Sequence, residues 1–351
     1  MEKVLLAEPR GFCAGVEMAI KALAWMVRVF EPPVYCYHEI VHNRLVVDRF
    51  REQGVIFVDD VNTVPAGAPL MLSAHGSAPD VVEASRAQNR YVVNAVCPLV
   101  TKVHHEAKVR ARKGFTILYV GHAGHDEAVG TLAVAPESIQ LVERDADLDA
   151  AAARVVDPSR VAVLAQTTLA QNEWASVVER TRERFPEVWT ASRNDLCFAT
   201  TNRQDALTDI AKRADAVVVI GSANSSNTIA LTKVARDAGC PVVLRVDGPD
   251  EIDAIGAART VGVTAGASAP EELVASVIAR LAPRDGVEVV RVTDEDEYFP
   301  PPRELRELIP ALDAAAALLL GGDVTAVRAA GGPFADDRTL DASNVLAAFG
   351  D

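Results

Sequence analysis

Cys13, Cys97 and Cys197 each stand where a β-rich apolar run gives way to a helical pattern, and that shared position makes them the first candidates for chemistry. The other two cysteines, Cys36 and Cys240, lack it. An odd count of five, behind an N-terminus with no basic region followed by a long apolar stretch, argues against a disulfide framework. No two cysteines lie closer than the 23 positions between Cys13 and Cys36, so no CxxC zinc motif exists. Three thiolates brought together from distant segments suit a [4Fe–4S] cluster, one per chain, with one iron not ligated by protein. An open iron can polarise a substrate oxygen while the cluster supplies electrons. Cysteines also serve as small buried hydrophobes, so the thiols alone do not decide between the two.

His42, His75 and His125 fall at strand ends, although the chain has seven histidines in all. Imidazoles donate hydrogen bonds and can carry positive charge beside phosphate oxygens. Ser225, Ser226, Asn227 and Ser268 add hydroxyl and amide donors in small-residue turns whose backbone N–H groups can form an anion nest. Together they describe a diphosphate site without a lysine, although serine and asparagine at such places also act as plain N-caps. Glu127, with the Thr167-Thr168 pair and His125, is the candidate proton carrier, since a departing hydroxyl needs an acid beside it. Taken singly, Glu127 reads more often as a helix-start carboxylate.

The elements that must position these groups repeat as βαβ units. Nine strand ends fall into three sets. The cysteine turns form the first; Ser73–Gly76, Gly121–Glu127 and Gly221–Asn227 form the second; His38–Asn43, Gln166–Thr168 and Thr264–Ser268 form the third. Spacings of 84 residues from Cys13 to Cys97 and 100 from Cys97 to Cys197 allow one small α/β domain each. Ligands of open parallel sheets bind beyond the strands' carboxyl ends, so three inward-pointing domains would line one central site. The expected domains run 1–96, 97–196 and 197–285, with 286–310 returning to the core. The Ala/Gly-rich stretch 311–351 is expected to be an appendage, in part disordered.

A net charge of −14 excludes an extended nucleic-acid surface, and no apolar run approaches a membrane span, so a cytoplasmic protein is expected. An anionic substrate must then be held by a local site.

Taken in order, the segments PRGFCAGV, HEIVHN, SAHG, CPLVTKVH, GHAGH, QTTL, ATTNRQ, SANSSN and VTAGASAP resemble the 4-hydroxy-3-methylbut-2-enyl diphosphate reductase family over roughly residues 2–305. The resemblance implies three similar small α/β domains with parallel sheets in a pseudo-threefold arrangement around a central iron–sulfur cluster. By position it implies Cys13, Cys97 and Cys197 as ligands, and His42, His75, Ser225, Ser226, Asn227 and Ser268 around the diphosphate. His125, Thr167 and Glu127 fall at the hydroxymethyl end. It further implies two-electron reductive removal of the hydroxyl to give isopentenyl and dimethylallyl diphosphates, with ferredoxin or flavodoxin as donor. Val96, Asp126 and the run Thr228-Ile229-Ala230 depart from the family's usual residues, leaving a paralogue as an alternative. Further rivals are a quinolinate-synthase-like Lewis-acid catalyst and a non-enzymatic redox sensor; the latter would leave the His, Ser, Asn and Glu cluster without a role.

Overall fold

The computed structural model describes residues 1–89, 91–144, 146–191, 195–319 and 332–349. Among the described residues, short runs of Val, Ile, Leu and Ala build thirteen parallel strands, and central ones such as VAVLA at 161–165 and AVVVI at 216–220 are buried throughout, as two-sided sheets require.

The first strand is β1 (Lys3–Glu8). Next come β2 (Val34–Tyr37), β3 (Val55–Val58), β4 (Pro69–Leu72) and β5 (Tyr91–Asn94), paired in the order β3-β2-β4-β5. A second sheet takes β6 (Thr116–Val120), β7 (Ile139–Val142), β8 (Val161–Ala165) and β9 (Trp189–Thr190) in the order β7-β6-β8-β9. The third contains β10 (Ala216–Ile220), β11 (Val242–Val246), β12 (Thr260–Ala265) and β13 (Val287–Arg291), and reads β11-β10-β12-β1-β13. All pairings are parallel.

This order corrects two points of the sequence reading. β1 lies inside the third sheet, between β12 and β13, rather than in a first domain beginning at residue 1. The equivalent turns are also regrouped: the ends of β2, β6 and β10 correspond, as do those of β4, β8 and β12. Likeness of residue type, such as Ala-His-Gly beside Gly-His-Ala, suggested the other grouping, but position in the sheet decides equivalence.

Each cysteine marks the place where the chain leaves one domain for the next. After β1 and Cys13, the helix Ala14–Val29 packs Ile20, Leu23 and Met26 with Val34, Met71 and Val93 of the first sheet. Beyond β5 and Cys97, the helix Pro98–Arg112 packs Val103 and Ala107 with Ile117, Tyr119 and Leu164 of the second. After β9 and Cys197, the helix Phe198–Ala211 packs Leu207 and Ile210 with Leu5, Val217 and Val219 of the third. Three such crossings close a ring.

Beyond residue 311 the C-terminal part differs from the expected appendage, whereas Leu305 and Ile309 fall in the stretch 286–310 expected to return to the core. The helix Arg303–Leu319 sinks Leu305 and Ile309 into the first core, where Tyr91 Oη donates to Glu304 O at 2.6 Å. The helix Ala342–Ala347 adds Val345 and Leu346 to the same core. Phe334 meets Trp25 edge-on, and the buried Lys21 ammonium donates to the carbonyls of Asp337 and Leu340 at 2.7 and 3.1 Å. Five apolar side chains and one buried cation are too thin a pattern in the sequence to announce this docking. Residues 320–331 of the expected extension lie outside the described residues.

Leu346→Ala should therefore cost about 2–5 kcal/mol in urea unfolding, as for other buried leucines. Leu318→Ala, at a position 69% exposed, should stay within about 0.5 kcal/mol. An equal, small effect of both would mean that the C-terminal helix is not part of the core.

Candidate active site

The three cysteines are the N-caps of the three crossing helices, each of fourteen residues or more, so all three sulfurs face the positive ends of helix dipoles. Cys197 Sγ accepts the Thr200 N–H at 3.2 Å and lies 3.0 Å from its hydroxyl. Gly15 lets the first helix approach: a β-carbon there would sit 2.8 Å from Cys97 Sγ and 3.9 Å from Cys13 Sγ. Burial pushes all three thiols up, Cys197 to about 12, so an anionic set needs a cationic metal group among them. Among the described residues, the His/Cys/Asp/Glu set whose ligand atoms all lie within 4.8 Å of one another is His42, His75 and Asp126. The cysteines form no such tight set, a spread that suits separate irons of one cluster better than a single ion. The donor set, the glycine-lined approach and the spread all fit a [4Fe–4S] group.

Arg203, which the sequence reading quoted only within ATTNRQ, ties two of these turns together. Its side chain is 1% exposed. It donates to Gly11 O at 2.9 and 3.1 Å, Phe12 O at 3.1 Å, Ala199 O at 2.9 Å and both Glu295 oxygens at 3.1 Å. One guanidinium thus joins the Cys13 loop, the Cys197 helix and the segment after β13, and it stabilises negative charge on both sulfurs. A buried arginine can be spotted only once its carbonyl partners are placed.

The His42 and His75 rings stack with centroids 3.9 Å apart, and His125 meets both edge-on. His42 Nε2 and His75 Nδ1 are buried without a hydrogen-bond partner, and both face the Asp126 carboxylate. Asp126, noted in the sequence only as a departure, lies at the heart of this group. His38 Nδ1 donates to it at 2.8 Å, with His75 Nδ1 at 3.7 Å and His42 Nε2 at 3.9 Å. Burial pushes the Asp126 carboxyl up, but the His38 hydrogen bond and the surrounding imidazoles outweigh it and hold it at about 2. His38, in turn, is raised by that hydrogen bond. Burial and the neighbouring His42 lower His75 well below the usual range and bring His125 to about 4, so these two are neutral imidazoles. His125 Nδ1 accepts the Glu127 N–H at 3.2 Å, which assigns the ring proton to Nε2.

Glu127 is 2% exposed. Its Oε1 accepts the Thr167 N–H at 2.7 Å and its Oε2 the Thr167 hydroxyl at 2.9 Å. Burial raises its carboxyl to about 7 against those two hydrogen bonds, a value suited to proton transfer near neutrality.

On the third domain, Ser225 caps the helix Ser226–Asp237, and Asn227 accepts from Ala267 N at 3.0 Å while donating to Thr200 Oγ1 at 3.4 Å. Ser226 Oγ accepts from Thr168 Oγ1 at 2.9 Å and from Gln166 Nε2 at 3.0 Å, and Ser268 Oγ donates to His42 O at 3.0 Å. The Ser226 and Ser268 bonds cross domain boundaries. One cavity is lined by Cys13, Cys97, Cys197, His42, His75, His125, Glu127, Thr167, Ser225, Ser226, Asn227 and Ser268, the twelve candidate residues of the sequence analysis.

Three parallel α/β domains, joined at three N-capping thiols around a pocket of histidines and hydroxyls, define a three-domain, cysteine-centred α/β enzyme. Residues 4–282 match the family described as LytB protein. A 4-hydroxy-3-methylbut-2-enyl diphosphate reductase of Rhodopirellula baltica is 46% identical over 308 residues, 87% of this chain and 96% of that one. One of Acidothermus cellulolyticus is 47% identical over 313 residues, 88% and 92% of the respective chains. The solved E-1-hydroxy-2-methyl-but-2-enyl-4-diphosphate reductase of Plasmodium falciparum superposes with a TM-score of 0.84 at 30% identity, covering 89% of this chain and 99% of its own. The chain belongs to the LytB family of 4-hydroxy-3-methylbut-2-enyl diphosphate reductases.

Because a β-carbon at Gly15 would overlap Cys97 Sγ, Gly15→Ala should lower stability by about 1–3 kcal/mol and displace the Cys97 sulfur. Gly248→Ala, where nothing lies within 4 Å, should change stability by under about 0.5 kcal/mol. Parallel urea titrations of the two variants check this contrast.

Proposed function

We propose that the protein reduces 4-hydroxy-3-methylbut-2-enyl diphosphate to isopentenyl and dimethylallyl diphosphates, the last step of the non-mevalonate route to isoprenoid precursors. The observation that carries this reading is the single cavity in which three N-capping cysteines, the histidine and hydroxyl groups, and the Glu127–Thr167 pair converge. Cys13, Cys97 and Cys197 would hold the [4Fe–4S] cluster, which supplies electrons and, at an iron not ligated by protein, a Lewis-acidic position for the hydroxyl oxygen.

The chain's own residues do the rest. The unpartnered nitrogens of His42 and His75 and the donors of Ser225, Ser226, Asn227 and Ser268 receive the diphosphate. The neutral His75 imidazole can gain a proton as that anion arrives, since its charge favours the imidazolium. His125 directs its Nε2–H into the cavity. Glu127 in its acid form gives a proton to the departing oxygen, and the Thr167 hydroxyl, bonded to its Oε2, holds the carboxyl in place. The C–O bond breaks, oxygen leaves as water, and the allylic carbons take up two electrons and a proton. An acidic electron carrier, ferredoxin or flavodoxin, would deliver those electrons. Among the described residues no helix is long and apolar enough to cross a membrane, which supports a cytoplasmic setting for this small anionic substrate.

Asn227→Ala or His42→Ala should weaken substrate binding by roughly 10- to 150-fold, the worth of one charge-assisted hydrogen bond, while leaving the visible absorption of the iron centre unchanged. Equilibrium titration under anaerobic conditions measures this, and parent-like affinity in both variants would move the diphosphate elsewhere.

Glu127→Gln keeps size and hydrogen bonding but has no proton to release, so turnover should fall at least about 100-fold at equal iron content. The pH profile gives the second check. A donor must be protonated, so the parent's rate should hold below and decline above about pH 7, where burial places this carboxyl. A Glu127→Gln rate within threefold of the parent, or the same alkaline decline in the variant, would remove Glu127 from the proton-donor role.

A further inference from the structure

The helix Pro98–Arg112 starts at Cys97 and carries Thr101, Lys102, His105, Lys108 and Arg112 at steps of three and four along one arc, all exposed. In a chain of net charge −14, this is a positive stripe on a negative molecule. Its one carboxylate, Glu106, lies to the side and pairs with Arg110 at 3.3 Å. Among the described residues Lys108 and Arg112 make no ion pair. Arg112 near the helix end favours the dipole, but Lys102 and His105 in the N-terminal half gain nothing from it.

The stripe begins beside the buried thiols. Thr101 Oγ1, at the surface, donates to Cys97 O at 3.3 Å. The Lys102 ammonium lies 3.7 Å from Asp195, two residues before Cys197. Electron transfer slows steeply with distance, so a carrier must settle close to the centre it reduces, and opposite charge steers and orients such short-lived encounters.

We propose that the exposed face of the helix Pro98–Arg112 is the docking surface for an acidic one-electron carrier protein, which delivers electrons over the Cys97 end. The inference rests on the reductase reading. Two carriers are each oxidised by one electron per turnover, and the substrate takes both electrons with two protons as it loses water.

The test compares the parent with Lys108→Glu/Arg112→Glu, using a reduced acidic [2Fe–2S] ferredoxin and, separately, reduced methyl viologen. Reversing both charges should lower the ferredoxin-driven rate at limiting carrier by at least about tenfold at low ionic strength, with the gap closing as salt is added. The methyl viologen rate should stay within twofold. A ferredoxin rate within twofold of the parent's would overturn the proposal. Should the variant lose both rates, carbodiimide cross-linking of ferredoxin to the unmodified chain decides: links to Lys102, Lys108 or Lys113 support the surface, and links confined to other lysines overturn it. A parent inactive with methyl viologen would refute the reductase reading instead, and the cross-linking would still locate the carrier.

Discussion

Everything in this molecule depends on three thiols being brought to one place by three chain crossings. Each cysteine ends a segment leaving one sheet and caps a helix packed in the next domain, so the domains cannot shift without moving a sulfur. Burial disfavours free thiolates at all three positions, and helix N-termini together with the Arg203 guanidinium offset only part of that cost. A cationic metal group held by the three sulfurs would supply the remainder and so link assembly of the ring to its loading.

The same burial shapes the rest of the cavity. Removing Glu127 from water raises its carboxyl toward neutrality, whereas Asp126 remains an anion because imidazoles surround it. Two carboxylates adjacent in the chain are thereby shifted in opposite directions, Glu127 upward where it faces Thr167 and Asp126 downward where it faces His38. Neutral His75 and His125 keep the pocket from holding a large fixed positive charge before an anion enters. The bonds from Gln166 and Thr168 to Ser226 and from Ser268 to His42 tie the walls of the cavity together across the domain boundaries.

Much of this was legible in the sequence because strand ends and chemistry-bearing turns coincide in parallel α/β domains. The twelve singled-out residues needed only to be recognised as strand-end or helix-start positions, and they line one cavity. What stayed hidden depended on long-range pairing. β1 looks like the start of a first domain until β12 and β13 are seen on either side of it. Arg203 resembles any helix arginine until Gly11 O, Phe12 O and Glu295 are placed around it. Asp126 reads as a variant residue until three histidines from the first domain close on it. The C-terminal helix, with few apolar residues and a neighbouring Ala/Gly run, gives no sign of the groove it fills beside the helix Ala14–Val29.

The central claim is that Cys13, Cys97 and Cys197, and no other cysteines, hold a four-iron centre. Iron and acid-labile sulfide analysis of anaerobically purified protein tests it most directly, applied to the parent and to each cysteine-to-serine variant. The parent should carry about four irons per chain, with a clear loss in Cys13→Ser, Cys97→Ser and Cys197→Ser and parent-like content in Cys36→Ser and Cys240→Ser. Full iron content in Cys97→Ser, or a parent without iron, would contradict it.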